Sequence, residues 1–284
     1  PSRWRKLDYF TTFVRNEVAQ RKPQSIDPRA VDESLQGGHR LYPQVELHLS
    51  AAWDCHVALP KLLEAHGATN TATWSLMRTQ FEASFRALWL LAPSQSRDRV
   101  LRAIRIAWVD DKAARTYTQE ILNDPLLDMP MTEVAAEQAK SAQMTKEHEK
   151  TFNDEVEHLT GHRWKRAPQD INMIDELTKL DERLGGGRYR ILFRHTWRTP
   201  AGLQHADTSA LLRASDTAHA ERMGKTTRML ITPSDQHFQT LGLSTSLLTQ
   251  QALARYLQCH QPTHDPNRLN LAALSDARRL WDVL

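Results

Sequence analysis

The chain has 284 residues, a formal net charge of +3 and 40% hydrophobic residues, enough apolar content for one large domain or two small ones. So weak a charge excess does not identify a polyanion partner, because phosphate binding depends on local clustering. The two cysteines, Cys55 and Cys259, lie far apart and argue against a disulfide scaffold. No apolar run approaches the roughly 20 residues of a membrane span, and no signal peptide is visible. The expectation is a soluble, cytoplasmic protein with no membrane partner.

Glycine is sparse, alternating β-branched runs are nearly absent, and Ala, Leu, Arg, Glu and Gln dominate. The expected fold is all-α, a multi-helix bundle forming a single helical domain over 1–284. Expected helices run 2–21, 41–66, 70–92, 95–123, 131–160, 170–184, 187–198, 200–214, 216–231, 234–260 and 267–283. Gly67 closes one helix, Thr232-Pro233 opens another, and Gly185-Gly186-Gly187 reads as a hinge between helices. In 70–92, Trp74, Met77, Phe81, Phe85 and Leu88 form one apolar stripe, which marks this helix as central. The charged segment 131–160 keeps only a thin apolar edge and is expected at the periphery.

Three groups of residues carry chemistry. Arg78, Glu82 and Arg86 repeat every four residues on 70–92, where Arg78 and Glu82 form a structural ion pair or shape a pocket. Glu155, His158 and His162 share one helix face, a spacing that fits a helical-bundle metalloenzyme. A metal needs three or four supported ligands, however, and His162 follows a helix-ending Gly161. No metal and no cofactor are therefore assigned. Basic residues cluster from Arg163 to Arg198, among them Arg190, Arg194 and Arg198. Trp164 and Trp197 interleave aromatic faces that suit base stacking, against the plainer reading of a solvated helix face.

At the end of that cluster, Thr199-Pro200 reads as an N-cap and first turn, with Arg198 just before it and His205 a turn and a half inside. An arginine and a histidine converging on a helix N-terminus make an anion site with a titratable base.

Taken in order, Arg78-x-x-x-Glu82 on a core helix, Trp164 in Trp-Lys-Arg-Ala-Pro, and Trp197-Arg198 followed by His205 resemble landmarks of a bacterial all-helical family of unknown function. That family looks related to the HEPN superfamily, whose signature is an arginine, four to six residues, then a histidine. The position after the arginine, a polar Asn, Asp or His in that signature, is Thr199 here. The resemblance covers roughly 45–215 and implies a HEPN-like core, with the helices of 216–284 packed on it as additional peripheral elements. It further implies a metal-independent ribonuclease of defence or toxin type acting on RNA or nucleotides, working as a homodimer. Arg198 would bind the phosphate and His205 would act as general acid or base, with Arg190, Arg194, Trp197 and Trp164 contacting substrate. The alternatives are a non-catalytic helical module that binds nucleic acid or protein, and the metalloenzyme.

Overall fold

The computed structural model describes residues 27–69, 71–124, 126, 129–187, 189–204, 221–223, 226–228 and 235–260, together with Leu7, Thr11, Thr12, Val14 and Asn16. The fold is all-α. Its helices are α1 (Pro28–Ser34), α2 (Leu41–His66), α3 (Ala72–Leu91), α4 (Ser96–Leu122), α5 (Met131–Thr160), α6 (Met173–Gly185), α7 (Arg190–Gln204) and α8 (Asp235–His260). A 3-10 turn, Gly38–Arg40, precedes α2. Strands β1 (Glu221–Met223) and β2 (Thr226–Arg228) pair antiparallel, with Glu221 opposite Arg228. That hairpin replaces part of the helix expected over 216–231. The sequence cue for the strand is the β-branched pair Thr226-Thr227. The helix expected over 267–283 lies outside the described residues, as does most of 2–21, of which Leu7, Thr11 and Val14 are helical and buried.

The chain divides into two compact units. One holds 1–27, 45–92 and 172–284; the other holds 28–44 and 93–171. The first is built on α3, which packs against α6, α7 and α8. Trp74, Met77, Phe81, Phe85, Leu90 and Leu91 are all buried, so the stripe expected on this helix is its core face. Leu59, Trp74, Met77, Leu203 and Leu241 form one cluster, and Phe81 meets the Phe193 ring at 6.2 Å.

In the second unit α4 and α5 pack as a pair. Val100, Ile104 and Trp108 of α4 meet Phe152 and Val156 of α5. Only Val134, Phe152, Glu155 and Val156 of α5 are buried, consistent with its thin apolar edge. Two ion pairs secure the segment before α2. Arg99 grips Asp32 through Nε and Nη2 at 2.9 and 2.7 Å, and Tyr42 donates to the same carboxylate at 2.9 Å. Arg40 holds both oxygens of Glu155, at 2.9–3.2 Å. Gly37 sits between these pairs at φ +80°, where a Cβ would meet Ile104 at 2.9 Å, so both backbone and space favour glycine.

Pro200 does not open a helix. It lies inside α7, which runs unbroken from Arg190 to Gln204 and so joins the helix expected over 187–198 to the start of the one expected over 200–214, whose remainder lies outside the described residues. An interior proline loses one backbone hydrogen bond and crowds the carbonyl four residues back, a cost of about 3 kcal/mol. Burial outweighs it: Phe193, Thr196, Pro200 and Leu203 continue one buried stripe at three- and four-residue spacing.

Candidate nucleic-acid interface

Everything expected to bind phosphate on the first unit lies on α7. Residues 190, 194 and 198 repeat every fourth position, each about 6 Å further along the axis and turned by about 40°. Arg190 and Arg198 are exposed and Arg194 is half-buried. Arg190 is within electrostatic reach of the Asp181 carboxylate, Arg194 and Arg198 make no ion pair among the described residues, and Nε of Arg194 is shielded without a hydrogen-bond partner among them. No acidic residue occurs in α7. An arginine stripe with no acid of its own on its helix produces a local positive field that the net charge of +3 conceals.

The continuous helix alters the electrostatics expected at Arg198. With Pro200 interior, no set of free helix N–H groups lies beside it, so the anion site expected there from a helix start does not form. The real N-terminus of α7 is already served from within. Gly186 and Gly187 turn the chain back at φ +61° and +85°, and the Asp181 carboxylate of α6 accepts the Tyr189 N–H at 2.9 Å. Burial pushes the Asp181 carboxyl above its ordinary range, with the backbone N–H groups of Tyr189 and Arg190 pulling the other way. The triple glycine is thus a helix–helix turn closed by an internal carboxylate.

Trp197 packs back on α3. Its indole N–H donates to Glu82 at 3.1 Å, and Arg78 Nε holds the same Glu82 oxygen at 2.7 Å. Arg78, Glu82 and Trp197 therefore brace α3 against α7, with the indole edge committed to that brace. Trp164 belongs to the second unit, where its ring lies 5.6 Å from Trp108 in the cluster with Phe152. It is a packing residue there, half-buried. His205 lies outside the described residues.

Long-range pairing brings in a histidine the sequence did not single out. His195, three residues before Arg198 on α7, stands with its ring 5.6 Å from that of His237 in the first turn of α8. The Thr199 hydroxyl is 3.1 Å from His195 Nδ1, which fixes how the ring is turned. Burial, and then the neighbouring His237, lower the pKa of His195. Nothing in sequence separation points to a pair 42 residues apart across a hairpin.

In the second unit the metal reading loses its carboxylate. Glu155 is buried and both its oxygens are taken by Arg40, while His158 and His162 are exposed. Among the described residues no three His, Cys, Asp or Glu side chains gather as a metal set. A groove of about 290 Å³ between α4 and α5 holds another titratable pair, His148 Nδ1 at 2.6 Å from Asp111. Arg115 bonds that Asp111 at 2.9 Å and lies near Glu149, so carboxylates match the cations and no positive excess remains for phosphate.

Comparison of the chain with protein-family models, with curated proteins and with solved structures finds no match. Among the described residues no helix is long and apolar enough to cross a membrane.

Proposed function

We propose that the protein binds RNA along α7 and cleaves it without a metal, as a HEPN-like ribonuclease. The observation that carries this reading is the stripe Arg190, Arg194 and Arg198 on a helix free of acidic residues. Arginine suits the role because its planar fork binds two phosphate oxygens at once. Arg198, exposed and nearest the end of α7, holds the scissile phosphate and offsets the charge that grows on it. His205, seven residues further along, takes the proton of the attacking 2′-hydroxyl, as the resemblance assigns it. A homodimer, also drawn from the resemblance, sets two copies of the site together.

The alternative is a helical module that binds nucleic acid without cutting it. The uninterrupted course of α7 favours this second reading, since it removes the helix-terminal donors that would stabilise a transition state beside Arg198. Incubation of a mixed RNA pool with the protein in EDTA separates the two. Cleavage that Arg198→Ala and His205→Ala each abolish, with folding retained, supports the ribonuclease. Retention of RNA on the protein with the pool intact supports the binding module, and absence of both binding and cleavage refutes the proposal.

A further inference from the structure

Beyond Trp108 and Phe152 the α4–α5 pair runs on without a core. From 111 to 151, Val134 alone is buried among the described residues. Polar rungs hold the seam instead: His148 meets Asp111 at 2.6 Å, Gln119 donates to Ser141 at 3.0 Å, and Gln138 donates to Asn123 at 3.1 Å. The large apolar side chains stand outside that seam. Among the described residues, five of the eight exposed large hydrophobics fall within 117–144, Tyr117 at 64% and Met144 at 44% exposure among them. Two helices that bury so little against each other gain little from packing, the main source of helix stability in proteins.

We propose that the groove along one side of this pair is the docking site for a basic amphipathic helix of a partner protein, a third helix that completes a bundle. The site lies in the second unit and stands independently of the ribonuclease reading. Shape supports it first. The groove, about 290 Å³, has a floor of Ala114, Thr118, Ser141 and Met144, side chains small or apolar enough for a helix to approach closely. Tyr117 and Ile121 follow Ala114 at three- and seven-residue spacing and so extend the same face of α4. From 111 to 122 that face runs about 18 Å, the length of a docked helix of about three turns.

Charge selects the occupant. By the same spacing Asp110 on α4 and Glu133, Glu137 and Glu147 on α5 edge the groove face. The cations there are Arg115, which holds Asp111 at 2.9 Å, and Lys140, which lies 3.6 Å from Glu137. Over 110–151 the sequence has nine Asp and Glu against five Lys and Arg, in a chain whose net charge is +3. A helix with a lysine- or arginine-rich polar face meets opposite charge along these edges while its apolar face covers Tyr117, Ile121 and Met144. A second copy of the pair would bring like carboxylates together, which disfavours self-association through this face.

Fluorescence anisotropy of a labelled model peptide, LKKLLKLLKKLLKL, titrated with the full chain tests this. The controls are the same peptide with every lysine replaced by glutamate, and a scrambled peptide of unchanged composition that has lost the helical period. The lysine peptide is expected to bind with a micromolar Kd, and both controls at least about tenfold more weakly. Ala114→Arg and Met144→Lys each place a cation in the groove at an exposed position, so either reads without the other. Each is expected to weaken binding by about tenfold or more with the circular dichroism melt unchanged. Equal binding of either control, binding that both variants leave intact, or no binding up to about 100 μM overturns the inference. A dimer in sedimentation velocity that Ala114→Arg dissociates assigns the groove to a second copy and overturns it equally.

Discussion

Asp32→Ala is expected to be among the most damaging single changes in the second unit. Asp32 is fully buried and Arg99 is 3% exposed, so the charge left behind cannot reach water. Asp32 receives two hydrogen bonds from Arg99 and one from the Tyr42 hydroxyl. Removing it strands all three donors, although Arg99 keeps the Pro93 and Ser94 carbonyls at 2.8 Å. Breaking a buried pair in this way costs about 3–5 kcal/mol. With a urea slope of about 2 kcal/mol per molar, the midpoint followed by circular dichroism should fall by about 2 M. The double change Asp32→Leu with Arg99→Met removes both charges together and should recover most of the loss, because an apolar substitute avoids desolvation of the pair. A loss below about 1 kcal/mol for Asp32→Ala, or a double variant as unstable as the single one, would refute the reasoning.

Phe81→Ala should cost about 3–5 kcal/mol in denaturant melts, since the ring is fully buried against Phe193. Pro200→Ala should stabilise by about 1 kcal/mol, because regaining the helical hydrogen bond offsets the two buried methylenes lost; a destabilised variant would argue that Pro200 starts a helix after all. His48 is held at about 4, lowered from 6.5 by burial and then by Arg86. Its neutral form therefore stabilises the fold above pH 6.5, and this contribution is lost as pH falls toward 4. His48→Gln should flatten the pH dependence of the melting temperature across that window, and an unchanged slope would contradict the assignment.

Helix-forming composition and apolar spacing were enough to place several elements. The bounds of α2 and α5 are those expected, and α3 differs only at its ends, because Trp74, Met77 and Phe81 mark its buried face within twenty residues. What failed was punctuation. Thr199-Pro200 looks like a helix start locally, but the stripe Phe193, Thr196, Pro200 and Leu203 is a tertiary property that overrides it. Trp164 reads as a stacking face beside its basic neighbours, but it packs against the cluster of Trp108 from α4 and Phe152 from the preceding α5. For the candidate site, the repeat of Arg190, Arg194 and Arg198 was present in the spacing all along. The convergence of His195 and His237 was not, since it depends on how α7 and α8 pack.

Central to the account is α7 as an RNA-binding element, and the salt dependence of binding tests it most directly. Affinity for a labelled single-stranded RNA, measured by fluorescence anisotropy over a range of salt, should fall linearly on logarithmic axes. Replacing Arg190, Arg194 and Arg198 together by glutamine should weaken binding and reduce that slope by about 2, as expected for three phosphate contacts on a single strand. A triple variant that stays folded and keeps both the affinity and the slope of wild type would contradict the account.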